Sequence, residues 1–267
     1  MTPIDVSKFL RSDRLKTIVA TSLACMVWAC GPKIGREFSC EDHFDIGAKA
    51  LEKRSFQNAI EAFETVTLNF PGCDMVDDAQ FMLGDAYFAQ EDFITAAFEY
   101  QRVVEDFPLS PRVEEAKFKI AGCHAEDVLV SARDQGPTFD AIFYYRQYLQ
   151  DYPSGRFAEE ARERIIALRS KLAVKLLDTS RFYLRMDYYE ASLIYVDEVR
   201  DRYPETTQSE SALIVRAQVF MGQKKPTEAM GILKGIDRGT LPEDEHGNVD
   251  ELIGELDEQL AAPQETN

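Results

Sequence analysis

Along residues 41–53, Phe44, Ala48 and Leu51 recur at three- and four-residue intervals, the period of a helix with one buried face. A turn is expected near Arg54-Ser55. Phe56, Ala59, Ile60, Phe63 and Val66 then form the apolar stripe of a second helix. The block closes on Phe70-Pro71, because proline cannot continue a helix and biases the residue before it out of the α region. Aromatic-proline pairs recur at Phe107-Pro108, Tyr152-Pro153 and Tyr203-Pro204. Gly47, Ala59, Phe63 and Pro71 reappear 37 residues later as Gly84, Ala96, Tyr100 and Pro108. The unit is therefore a helix pair. Its small residues mark where the two axes cross closest, and its aromatic is expected to fill the gap against the next pair. Such a chain is an all-α solenoid rather than a single-core enzyme.

In the second copy, Leu83, Gly84, Tyr87, Ala96, Tyr100 and Pro108 match the tetratricopeptide pattern Leu-Gly-x2-Tyr, Ala-x3-Phe, Pro. The fold expected is a right-handed solenoid of about five tetratricopeptide-like helix pairs over residues 41–236. The third unit is stretched: Gly122 and Ala141 are 19 residues apart where earlier copies have 12. The extra residues are placed in a loop around Arg133-Asp134-Gln135-Gly136-Pro137. In the fourth unit, Gly155 to Met186 reads as one helix about four turns longer than its counterparts. Tyr188 to Arg202 is its partner. A fifth pair runs from about Ser209 to Ile236, with Ala217 and Ala229 at the crossing positions. Residues 237–267 form an acidic C-terminal tail, in which a weak helix near Val249–Leu260 caps the solenoid before a loose end.

Residues 1–29 read as a lipoprotein export signal. Lys8, Arg11, Arg14 and Lys16 lead into an apolar run of 13 residues, Thr17 to Ala29, followed by Cys30-Gly31. That run rises about 20 Å as a helix, short of a bilayer core of about 30 Å, which disfavours a spanning anchor. A peptidase cutting before Cys30, with lipid added to its thiol, would hold the protein on a membrane face without a spanning helix. Val27 and Ala29 suit that cleavage, although Trp28 is bulky. Cys25 is the alternative lipid acceptor. Residues 30–40 are then a lipidated linker.

The formal charge is −17, and residues 1–29 hold four basic and two acidic side chains, so the chain without them carries −19. Such a surface repels phosphate backbones and anionic headgroups, which excludes nucleic acid and electrostatic membrane binding and leaves proteins or peptides as partners. Of the cysteines after Cys30, Cys40 opens the first helix and Cys73 precedes the matching helix of the second pair. Stacked pairs bring those ends side by side, which allows a Cys40–Cys73 bridge. Cys123 then remains as a buried thiol. His43, His124 and His246 are isolated, and no metal spacing, phosphate loop or nucleophile motif occurs. No cofactor and no catalysis are expected.

Helical solenoids bind along the face lined by the first helix of each pair. Phe44, Leu51, Phe81 and Phe88, with Asp78 and Asp85 beside them, form a candidate row there for an extended peptide with hydrophobic and aromatic side chains. The competing reading makes these phenylalanines core between stacked pairs, since groove and core differ by one residue of helical phase.

These features together resemble the BamD family of outer-membrane assembly lipoproteins. Asp77-Asp78-Ala79-Gln80-Phe81-Met82-Leu83-Gly84 carries part of the resemblance. Arg133-Asp134-Gln135, and Tyr152-Pro153-Ser154 leading to Phe182-Tyr183-Leu184, carry the rest. The resemblance spans residues 40 to about 235. It implies a lipid-anchored protein on the periplasmic face of the outer membrane. Its C-terminal repeats would bind the periplasmic domain of the barrel subunit, beside other assembly lipoproteins. Its N-terminal repeats would receive the C-terminal strand of unfolded outer-membrane proteins, which ends in an aromatic residue. The acidic extension, the long basic lead and the Cys40/Cys73 pair depart from the pattern. A periplasmic scaffold of the Tol-Pal type, most similar over residues 76–108, is the alternative.

Overall fold

The computed structural model describes residues 38–130 and 135–261. The signal segment, Cys25, Cys30, Arg133 and Asp134 lie outside the described residues. Among the described residues the chain forms eleven helices and no strand. The first pair is α1 (Cys40–Glu52) with α2 (Phe56–Asn69), and the second is α3 (Val76–Ala89) with α4 (Phe93–Asp106). The third joins α5 (Val113–Val130) to α6 (Gly136–Asp151), and the fourth joins α7 (Ala158–Arg185) to α8 (Tyr189–Arg202). The fifth is α9 (Gln208–Gly222) with α10 (Pro226–Lys234), and α11 (Glu243–Ala261) closes the array. Each helix packs on its sequence neighbours, and the first helices of the fourth and fifth pairs also meet.

The aromatic-proline marks end four helices in one conformation. Phe70, Phe107, Tyr152 and Tyr203 are C-caps with φ of −127, −127, −130 and −131°. Each leaves the α region ahead of its proline while its N–H still donates to the carbonyl four residues back. Between paired helices a second device recurs: Arg54, Glu91, Asp187 and Lys224 take φ of 56, 64, 60 and 59°. One left-handed residue reverses the chain within a three-residue link, although none of the four is glycine. Ser39 starts α1 with a capping box, accepting from the Asp42 N–H while the Asp42 carboxylate accepts from its own.

The crossings are glycine under an aromatic ring. A Cβ on Gly47 would stand 2.7 Å from the Phe63 ring, and one on Gly84 would stand 2.6 Å from Tyr100. Phe63 thus covers the glycine of its own pair and also joins a core containing Ala79 and Leu83 of the next. The third pair is looser: a Cβ on Gly122 would meet nothing nearer than the Tyr145 oxygen at 3.9 Å.

Two expectations need correction. The lengthening of the third unit is not confined to its loop. α5 has 18 residues against 14 in α3, and Gly136 and Pro137 open α6, where proline suits the first turn. Nor is the acidic end mainly a tail. α11 has 19 residues, and Val249, Leu252 and Leu256 bury against a core with Ile214, Leu233 and Leu241. The long helix α7 has 28 residues, twice the length of α8, as its uninterrupted pattern predicts.

Candidate functional site

The structure places the candidate peptide row mostly inside the stack. Phe81 is 2% exposed and packs on Tyr100 with ring centroids 5.3 Å apart, so it is core and not a groove contact. Phe44 meets Phe63 edge-on at 5.7 Å, and Leu51 packs into the same core. Phe88 meets Phe93 at 5.2 Å within its own pair. Phe44, Leu51 and Phe88 each keep part of their surface open. One residue of helical phase decides this: Phe81 faces Tyr100, whereas a groove residue would face away from it.

Asp78 and Asp85 form rungs between neighbouring repeats. Arg112 Nε donates to Asp78 Oδ1 at 2.6 Å, and Lys119 Nζ donates to Asp85 Oδ1 at 3.1 Å, each across 34 residues. The Lys119 rung joins α3 to α5, and the Arg112 rung joins α3 to the residue just before α5. Asp85 Oδ1 also accepts from the Tyr100 hydroxyl at 2.5 Å. Burial, with the Asp85 charge next, holds that phenol well above its ordinary range. Arg112 lies over the Phe81 ring at 5.0 Å. Because these carboxylates already have cationic partners, a client would have to displace Arg112 or Lys119 to use them.

The Cys40–Cys73 bridge is present, with Cα atoms 6.5 Å apart. It ties the N-terminus of α1 to the link before α3. Cys123 is free and buried, and burial pushes its thiol up to about 12, which keeps it protonated and unreactive. Among the described residues no group of three or more His, Cys, Asp or Glu could hold a metal ion. No helix among them is long and apolar enough to cross a membrane.

A surface that the periodicity did not single out is more open. Ile94 and Phe98 on α4 are 78% and 61% exposed, and Phe143 on α6 is 60% exposed. Between these helices, above Ile120 and His124 of α5, lies a groove of about 490 Å3. Tyr144 stacks on His124 along it, with centroids 4.4 Å apart. Exposed aromatic side chains gathered along one groove are the usual mark of a protein contact. The signal was legible as large apolar residues at i and i+4, Ile94/Phe98 and Phe139/Phe143, on the face opposite each crossing alanine.

Relatives of this chain are identifiable by sequence. "Outer membrane protein assembly factor BamD" of Caulobacter vibrioides is 25% identical over 227 residues, 82% of this chain and 74% of that protein. The protein of the same name from Vibrio cholerae is 24% identical, with 71% and 80% covered. That from Rickettsia prowazekii is 24% identical, with 70% and 77% covered. The family model "YfiO: Outer membrane lipoprotein" matches residues 36–230. That span takes in both helices of the first four pairs and α9, and the chain belongs to the YfiO family of outer membrane lipoproteins.

Proposed function

We propose that this protein is a non-catalytic scaffold of the machinery that assembles β-barrel proteins into the outer membrane. One observation carries the reading: a family match from 36 to 230 covers nearly the whole solenoid, and the curated relatives over that span are named assembly factors. The physical character of the molecule supports it. A chain of net charge −17 with exposed Phe98 and Phe143 suits protein partners rather than nucleic acid.

Cys30 carries the lipid and holds the protein on the periplasmic face. From Cys30 to Phe38 the chain reaches at most about 28 Å, so the first repeat stays close to the bilayer. The C-terminal repeats bind the periplasmic domain of the barrel subunit, in company with other assembly lipoproteins. The N-terminal repeats receive the C-termini of unfolded outer-membrane proteins, through the surface that Phe44, Leu51 and Phe88 leave open. Affinity purification of the lipidated protein from envelope membranes tests this reading. Recovery of a barrel-assembly subunit is expected; recovery of Tol-Pal components in its place overturns it.

A further inference from the structure

Beside the link between α7 and α8 opens a cavity of about 590 Å3, lined by Tyr183, Asp187, Tyr188, Tyr189, Glu190 and Gln223. Two of its rings are fixed. Tyr183 stacks on Tyr195 with centroids 5.5 Å apart, and Tyr189 lies on Gly222, where a Cβ would stand 2.7 Å from the ring. The Tyr189 hydroxyl donates to Asp187 Oδ1 at 2.9 Å, which holds that carboxylate at the cavity wall. Tyr188 meets Tyr183 edge-on at 6.4 Å and is 60% exposed, leaving ring surface open to solvent. Asp187 and Glu190 are both exposed, and neither joins an ion pair among the described residues. The cations nearest in sequence, Arg185, Lys224 and Lys225, do not serve them; Lys225 lies over the Phe220 ring instead. Helix-end chemistry accounts for part of this, since Glu190 suits the first turn of α8 and aspartate tolerates a φ of 60°. It does not account for three tyrosines gathered around two carboxylates that lack a cation.

We propose that this cavity receives an arginine side chain presented by a partner protein. The guanidinium lies against the Tyr188 ring, a cation over a π face, and turns its N–H edge toward Asp187 and Glu190. Arginine fits better than lysine, because a guanidinium is planar, more weakly hydrated and able to stack while donating sideways. A protein fits better than a free small cation. Phe182 and Met186, at the end of α7, are also about half exposed, and Phe182 meets Tyr183 edge-on at 5.6 Å. That apolar margin gives an incoming protein surface something to cover. The charges are complementary as well, since two unpaired carboxylates on a chain of net charge −17 draw a cationic partner. The site stands on the cavity whether or not the protein serves barrel assembly.

The test uses the full-length protein in detergent with meta-fluorotyrosine in place of tyrosine, followed by fluorine NMR. Replacing Tyr183, Tyr188 and Tyr189 singly by Phe assigns their resonances. N-acetylarginine amide should shift the Tyr183 and Tyr188 signals saturably. N-acetylcitrulline amide, which has the same shape without the charge, should bind at least about tenfold more weakly, the combined loss of a cation–π contact and an exposed ion pair. Asp187→Asn combined with Glu190→Gln should cost about the same factor, and asparagine also tolerates the left-handed link. Unmoved signals from tyrosines outside the cavity check that this variant is folded. Equal response to the arginine and citrulline derivatives, no saturable shift at Tyr188, or undiminished binding in the double variant would each overturn the proposal. Tighter binding of N-acetyllysine amide or tetramethylammonium would overturn it in favour of an ammonium site. None of these readouts needs an assembly partner, so failure here leaves the proposed scaffold role standing.

Discussion

Gly84→Ala and Gly122→Ala are the same substitution at matching positions of neighbouring pairs, and the structure requires opposite signs. Alanine in a helix interior is favoured over glycine by about 1 kcal/mol, so each change begins with that gain. At Gly84 the new methyl would stand 2.6 Å from the Tyr100 ring. That ring cannot retreat: it is fully buried, Phe81 lies 5.3 Å away, and its hydroxyl is fixed to Asp85 at 2.5 Å. Overpacking of this kind costs about 1–3 kcal/mol, giving a net loss of about 1 kcal/mol. At Gly122 the nearest atom is 3.9 Å away, an ordinary contact, so the helix gain survives as about 0.5–1 kcal/mol of stabilisation. Urea unfolding followed by far-UV circular dichroism reads the difference, about 2 kcal/mol between the two variants, as a shift in midpoint at constant slope. Hydrogen exchange in α3 and α4 would place the Gly84 effect in its own pair. Effects of the same sign and size at both positions would refute the ring-over-glycine account of the crossings.

Cys73→Ser opens a loop of 33 residues whose closure restricts the unfolded chain by about 4 kcal/mol in the loop-entropy account. α1 buries only Cys40 and Gly47, so its amides should lose protection first, and unchanged exchange in α1 would contradict the staple. Glu205 lies below its ordinary value of 4.5, chiefly through the hydrogen bond from Arg169. Its folded value is depressed, so its contribution is present above the unfolded value and is lost as pH falls through the folded one. Glu205→Gln should therefore be less stable than wild type at pH 7 and converge with it in acid; parallel stability curves at every pH would count against that ion pair.

Much of the fold could be read along the chain because the deciding interactions are local. The four aromatic-proline caps, the crossing residues and the uninterrupted 28-residue helix all follow from neighbours within a few turns. The left-handed links at Arg54, Glu91, Asp187 and Lys224 were hidden, because glycine is the usual sign of such a helix end and none of the four is glycine, although each is closed by local backbone hydrogen bonds to the preceding helix. α11 was under-read because its segment is acidic and sparse in apolar residues, whereas Glu243, Asp244 and Glu245 sit favourably at a helix N-terminus and three apolar residues find a core. The site was harder still. Asp78 and Asp85 look like groove carboxylates until Arg112 and Lys119, each 34 residues away, turn out to meet them.

The assembly role is tested most directly by depleting the protein from growing cells and following newly made outer-membrane β-barrels by their heat-dependent mobility on gels. Folded barrels should decline while unfolded precursors build up in the periplasm. Normal barrel folding, with defects confined to envelope constriction, would contradict the assembly role.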